Sequence, residues 1–226
     1  RTIIYETFDR SHFWDKARCM LFVYYFYDYN GPFDVQEYRR FLIVGYELRI
    51  ISDSDRRILE ADWTQVHDFV VDAQSHPEPE ARYPELSHLQ LMFIDIAPKY
   101  PHSPRFRFKQ AYVNGFIQEH FGRTKQQKLG FEFDRYADFD RRCAQLTEIY
   151  RGKTMFELVE LFGVNGTINK SLAERIVLKM FDSDARHIGD IDIFRKLGLI
   201  GKTMIQNPKG GRTEDMKLFR IDFDEI

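Results

Sequence analysis

The hydrophobic positions of the chain form continuous runs in some segments and helical spacing in others. The apolar and aromatic run at residues 20–29 is rich in Val, Phe and Tyr and predicts a buried strand. Residues 38–51 predict another strand or two. A shorter run at residues 89–96 predicts another strand. Residues 105–121 combine aromatic and basic side chains, and we expect a strand that enters a helix there.

Helical spacing marks most of the remaining chain. Asp53 and Ser54 are residue types that cap helices, and apolar residues follow them at helical spacing. Between residues 131 and 181, three apolar faces predict three short amphipathic helices. These faces are Phe139, Cys143, Leu146 and Ile149, then Met155, Leu158, Val159 and Phe162, then Leu172, Ile176, Val177 and Met180. From Ile191 the pattern returns to strands, so the chain as a whole is expected to be α+β.

Length and composition indicate a globular protein. A chain of 226 residues with 43% hydrophobic and 30% charged residues is long enough for one large or two small domains. No apolar run is long enough to predict a membrane span. Cys19 and Cys143 are far apart and show no metal or redox spacing, so we expect two buried free thiols in a cytoplasmic protein.

The charge distribution points to one basic segment. A net charge of −2 excludes a protein that is basic over its whole surface, but it allows a local basic groove. Between residues 99 and 128, Glu119 is the one acid against seven basic residues, namely Lys99, Arg105, Arg107, Lys109, Arg123, Lys125 and Lys128. Such residues bind phosphates and guanine edges, so the segment predicts DNA binding. The alternative is an ordinary solvated surface over core aromatics.

Metal-dependent cleavage of DNA needs carboxylates that hold Mg²⁺ beside the scissile phosphate, often with a Lys two positions after an acid. Asp215 and Lys217 are the one acid–lysine pair with this spacing. Because a three-residue pattern arises by chance in a chain this charged, we interpret the pair as part of a solvated strand face. The seven histidines show no spacing typical of a zinc site.

Four sequence blocks, in the same order, resemble the MutH-like family of type II restriction endonucleases, which includes enzymes that cut at GATC and a mismatch-repair nicking enzyme. The blocks are ETFDRSHFWDKARCMLFV at residues 6–23, DSDRRILEADW at 53–63, LMFIDIAPK at 91–99 and FRFKQAY at 106–112. Weaker similarity to the longer restriction enzymes of the family continues through residues 156–179 and 194–226.

This resemblance implies an α+β fold of the restriction-endonuclease type, a mixed sheet flanked by helices. It assigns residues 1–123 to the C-terminal part of a nuclease domain and residues 124–188 to a helical connector. Residues 189–226 would be the first strands of a second, non-catalytic domain that binds DNA.

The resemblance also implies the roles of individual residues. Lys16 matches the catalytic lysine that stabilises charge on the phosphate or helps to place water. The implied DNA-binding residues are Lys99, Arg107 and Lys109, and Tyr112 of the same block is a further candidate. Arg105 is a DNA-binding candidate from the basic segment. Ala97 stands where the family has an Arg, and Arg107 where it has a Tyr that contacts the target adenine. We therefore expect a target that can differ from GATC.

The implied parent protein is a Mg²⁺-dependent endonuclease of a restriction or DNA mismatch repair system, which cuts double-stranded DNA in the cytoplasm, as a homodimer on DNA. In the family, the metal-binding carboxylates precede the segment where this chain begins. We therefore expect a fragment that lacks the metal site, binds Mg²⁺ poorly and cuts nothing. The alternatives are a non-catalytic DNA-binding or regulatory module of a repair or defence system, and a domain with no nucleic-acid role.

Overall fold

The chain forms two compact units, which we describe separately. The computed structural model describes residues 3–26, 39–97, 101–102, 104–122, 127–165, 170–202, 209 and 211. The first unit contains residues 1–124 and 132–149, and the second contains residues 125–131 and 150–226. Residues 132–149, which were expected in the connector, belong to the first unit. The functional roles expected for the domains stay predictions. Of the candidate site residues, Lys99 lies outside the described residues.

The first unit combines helices with two antiparallel hairpins. Its elements are α1 (His12–Ala17), β1 (Cys19–Phe26), β2 (Leu42–Ile50), α2 (Asp53–Gln74), α3 (Pro79–Arg82), β3 (Ile94–Ala97), β4 (Arg105–Phe108), α4 (Gln110–His120) and most of α5 (Tyr136–Tyr150). β1 pairs with β2, and β3 pairs with β4. This arrangement confirms the α+β class. In place of the expected mixed sheet, the described residues form two separate antiparallel pairs.

The β1–β2 hairpin packs one of its faces against α4. The ring centroids of Phe22 and Phe116 lie 5.7 Å apart, and the guanidinium of Arg49 lies 4.4 Å from the centre of the Phe116 ring. Arg49 also donates a hydrogen bond to Glu119 at 2.7 Å. These contacts join a strand face to a helix as two layers.

The opposite face of the same hairpin is exposed. Leu21 and Tyr46 keep 65% and 75% of their surface accessible, so the predicted strand forms at residues 20–26 but is not buried on this face, and residues 27–29 of the prediction lie outside the described residues. Cys19 is also exposed, which corrects the expectation of two buried thiols, whereas both cysteines are free as predicted. Burial was predicted wrongly for this face because an apolar run does not show whether both faces of a sheet are covered.

Helix α2 carries much of the core of the first unit. The hydroxyl of Ser52 caps it by accepting a hydrogen bond from the Asp55 backbone N–H at 3.2 Å, one residue before the predicted cap. Ile58, Trp63 and Val66 are buried on one side of the helix, as their spacing predicts. At 22 residues, α2 is too polar to cross a membrane, and no other helix in the described part of the chain is long and apolar enough to do so.

A buried carboxylate on α2 organises the segment that leads into β3. Asp62 has no accessible surface, and it accepts hydrogen bonds from the backbone N–H groups of Met92, Phe93 and Ile94 at 2.7, 2.7 and 3.0 Å. Burial raises the pKa of Asp62 above its ordinary value, although the three N–H donors and the ammonium of Lys109 oppose that rise.

These hydrogen bonds explain where the predicted strand at residues 89–96 departs from the structure. Leu91, Met92 and Phe93 are buried as the apolar run predicts, but β3 begins only at Ile94. The amides of Met92 and Phe93 are directed to the side chain of Asp62, so they do not pair with a neighbouring strand.

The second unit is built on short helices. Its elements are α6 (Met155–Phe162), α7 (Lys170–Met180) and α8 (Asp192–Leu197). Thr154 and Glu157 form a capping box at the start of α6, and Gly163 ends it with a left-handed φ of 59°. A core of Leu158, Val164, Leu172 and Ile176 joins α6 to α7. Together with α5, these helices confirm the three predicted amphipathic segments.

The strands predicted from Ile191 onward are wrong for the first described element. Residues Asp192–Leu197 form α8, in which Asp192 pairs with Arg195 at 2.8 Å and with Lys196 at 2.9 Å. Side chains three and four residues apart meet on a helix, so these pairs favour α8 over a strand. Beyond residue 202, the described residues are 209 and 211, and the Asp215–Lys217 motif lies outside them.

Replacement of Asp62 tests its place in the fold. We expect Asp62→Ala to lower the free energy of unfolding by about 3–5 kcal/mol, because it leaves three buried N–H groups without an acceptor. Asp68→Ala, which removes an exposed acid from the same helix, is the matched control and should cost less than about 1 kcal/mol. Urea unfolding measures both, and equal losses would contradict the role given to Asp62.

Candidate phosphate-binding cleft

A cleft of about 550 Å³ lies in the first unit, between α1 with its preceding turns and strand β4. It brings together three of the predicted site residues, Lys16, Arg105 and Arg107. Two residues to which no role was assigned from the sequence, Glu6 and His12, also line it. The cleft therefore combines three cationic side chains with one carboxylate and one imidazole.

The short helix α1 is fixed by a buried serine at its start. The hydroxyl of Ser11 accepts a hydrogen bond from the Trp14 backbone N–H at 3.0 Å and donates one to the Phe8 carbonyl at 2.7 Å. Ser11 has no accessible surface. His12 and Lys16 are four residues apart on α1, so they project from the same side of the helix.

Aromatic contacts join α1 to β4. The ring centroid of Phe13 lies 5.1 Å from that of Phe106 and 6.2 Å from that of Phe108. Arg105 and Arg107 alternate with these rings along β4 and are both exposed, and all four residues line the cleft. The apolar contacts thus hold the two basic elements together without using their charged groups.

Glu6 and His12 form a close pair in the cleft. Oε1 of Glu6 lies 2.5 Å from Nδ1 of His12, and Oε2 accepts a hydrogen bond from the His12 backbone N–H at 3.3 Å. The Glu6 side chain is 12% exposed and that of His12 is 61% exposed. Because Nδ1 faces the carboxylate, Nε2 is the ring nitrogen that is left to contact a ligand.

Sequence reasoning missed this pair for a local reason. The two residues are six positions apart, and a 3-10 turn at Phe8–Arg10 folds the chain back between them. Residues six apart do not share a helix face, and the turn between these two is not a strand, so no periodicity marks the pair. The resemblance block at residues 6–23 contains both residues, and it was the one signal that could have pointed to them.

The three cations differ in how they are paired. Arg107 donates a hydrogen bond to Asp95, which lies directly opposite on β3, at 2.7 Å. Among the residues that the structure describes, Lys16 and Arg105 have no ion-pair partner. These two side chains are therefore available to an anion, whereas Arg107 would have to share its guanidinium between Asp95 and a ligand.

Two other predicted DNA-binding residues make contacts within the fold: Tyr112 is buried, and Lys109 is half-buried. Tyr112 has no accessible surface, stacks on Phe93 at 4.1 Å and donates a hydrogen bond to Asp55 at 3.2 Å. The ammonium of Lys109 donates to the carbonyl of Leu91. Both contacts are structural, so the DNA-binding surface that we propose does not include Tyr112 or Lys109.

The donor set of the cleft does not fit Mg²⁺. Glu6 is its one carboxylate, and both oxygens of Glu6 are already directed to His12. Mg²⁺ requires near-octahedral oxygen ligands at about 2.0–2.1 Å. In the parts of the chain with described structure, no group of three or more His, Cys, Asp or Glu residues could hold a metal ion.

No known protein family matches the chain, and no curated protein matches it either.

Loss of the Ser11 cap tests how the cleft is held. We expect Ser11→Ala to lower the free energy of unfolding by about 1–2 kcal/mol, because the partly buried Trp14 N–H then loses its acceptor. Ser87→Ala removes an exposed hydroxyl that donates to a carbonyl three residues earlier, and it is the control, with an expected loss below about 0.5 kcal/mol. Thermal and urea unfolding measure both. An unchanged Ser11→Ala protein would mean that α1 does not depend on its cap.

Proposed function

We propose that the cleft binds a backbone phosphate of double-stranded DNA, and that the chain is the DNA-binding part of a site-specific deoxyribonuclease of the MutH-like type. The observation that carries the proposal is the position of Lys16 and Arg105, which come from distant segments, line one cleft and have no ion-pair partner among the described residues.

The chemistry of the cleft favours a phosphate over a neutral ligand. Three cationic side chains line the cleft against the one carboxylate of Glu6, and such an excess of positive charge in a concave surface raises the local concentration of anions. Lys16 supplies a point charge, and Arg105 supplies a planar fork that donates two parallel hydrogen bonds to phosphate oxygens. The aromatic wall of Phe13 and Phe106 offers apolar surface to a sugar.

In this proposal, each polar residue has a separate task. Lys16 neutralises charge on the phosphate, in agreement with the catalytic lysine that the resemblance implies. Glu6 orients the imidazole of His12, whose Nε2 contacts a phosphate oxygen or a water molecule beside it. Hydrolysis by the parent enzyme would need metal-binding carboxylates that the described residues do not bring together. The activity proposed for this chain by itself is therefore binding.

The finer fold assignment is part of the same proposal. We infer a restriction-endonuclease-like domain from the order of the four sequence blocks, and the α+β character of the first unit supports it. The alternative, a non-catalytic DNA-binding or regulatory module, shares the binding step and differs in hydrolysis.

Replacement of the two unpaired cations tests binding. We expect Lys16→Ala and Arg105→Ala each to weaken binding of a labelled DNA duplex about tenfold, and each to reduce the slope of log affinity against log salt by about one. Lys153→Ala and Arg141→Ala remove exposed charges from outside the cleft and serve as matched controls. Fluorescence anisotropy at several salt concentrations measures all four. Equal affinities for cleft variants and controls would overturn the proposal.

Incubation with supercoiled plasmid separates binding from hydrolysis. We expect the chain with Mg²⁺ to leave the plasmid intact under conditions in which it binds DNA, because its cleft supplies a single carboxylate. Gel electrophoresis of the plasmid with and without chelator is the measurement. Mg²⁺-dependent nicking that is retained in Lys153→Ala and lost in Lys16→Ala would contradict the expectation and make this chain a nuclease.

A further inference from the structure

The β1–β2 hairpin carries an apolar face that nothing in the described structure covers. This bare face consists of Leu21, Val23, Tyr25, Tyr46, Leu48 and Ile50, whose exposed fractions run from 49% to 75%. Isolated exposed apolar residues are common on protein surfaces, but a contiguous set of six large ones marks an interaction site.

Strand register accounts for the contiguity of the bare face. Leu21 pairs with Leu48, and Val23 pairs with Tyr46, so each pair projects from the same side of the hairpin. The charged residues Glu47 and Arg49 alternate to the other side, where Arg49 bonds to Glu119 on α4. No charged side chain therefore interrupts the bare face, although β2 contains two charged residues.

The size of the bare face matches one side of a stable interface. At roughly 100–150 Å² of exposed area for each side chain, the six residues present on the order of 800 Å². A standard protein–protein interface buries about 800 Å² on each partner. The largest apolar patch of a typical monomer is smaller, at roughly 300–600 Å².

We propose that two copies of this chain dock through their bare faces and form a homodimer without DNA. An interface with twofold symmetry uses the same patch on both copies, so the patch has to complement itself. An uncharged apolar face meets this condition, because no like charges are brought together and no charged group loses water. Two sheets that pack face to face, about 10 Å apart, form such an interface. The proposal is independent of the cleft and of its DNA function.

The oligomeric state in solution is the first test. Light scattering after size-exclusion chromatography, from about 1 to 100 μM protein and without DNA, should give the dimer mass for the natural chain. Tyr46→Lys and Leu48→Lys put a charge at the centre of the bare face and should give the monomer mass. Phe156→Lys changes a residue on α6 that is 72% exposed, and as the matched control it should stay dimeric. Circular dichroism checks that each variant is folded.

Labelling of Cys19 is the second test, and it needs no variant of the bare face. Cys19 is exposed and lies opposite Ile50, on the same side of the hairpin. In Cys143→Ala, where Cys19 is the one thiol, the labelling rate should fall as the protein concentration rises, since dimerisation covers the face. A monomeric natural chain at the highest concentration, dimeric Tyr46→Lys and Leu48→Lys, or a labelling rate independent of concentration would each overturn the proposal.

Discussion

The buried carboxylate of Asp62 is the interaction on which the first unit depends. It accepts three backbone N–H groups from the segment that starts β3, and thereby ties that segment to α2. β3 in turn pairs with β4, the strand that brings Arg105 to the cleft. A buried carboxylate is costly unless it is hydrogen-bonded, so these three donors stabilise both Asp62 and the attachment of the segment to α2.

The cleft is assembled from parts whose packing and chemistry are separate. Phe13 and Phe106 join α1 to β4 through apolar contact, and Ser11 fixes the start of α1. The charged groups of Lys16 and Arg105 take no part in these contacts and have no ion-pair partner within the described structure. This separation supports a binding role, because charges that the fold does not need are available to a ligand.

Local patterns predicted the helices well, and tertiary contacts account for what they missed. The spacing of apolar residues predicted α2, α5, α6 and α7, because the apolar face of an amphipathic helix recurs every three or four residues within one segment. The late start of β3 depends on Asp62, about thirty residues earlier, which no window around the strand contains. Helix α8 forms where a strand was predicted after Ile191, and the pairing of Asp192 with two cations stabilises this helix.

The candidate site was predictable in part. The resemblance named Lys16, and the structure brings it into one cleft with Arg105, but the resemblance also named Tyr112, which is buried. Burial depends on the whole fold, so a motif cannot separate a core tyrosine from a DNA contact. The most direct measurement is a crystal structure of the chain with a short DNA duplex. A phosphate within about 3 Å of the charged groups of Lys16 and Arg105 is the predicted result, and a duplex bound elsewhere with the cleft unoccupied would contradict it.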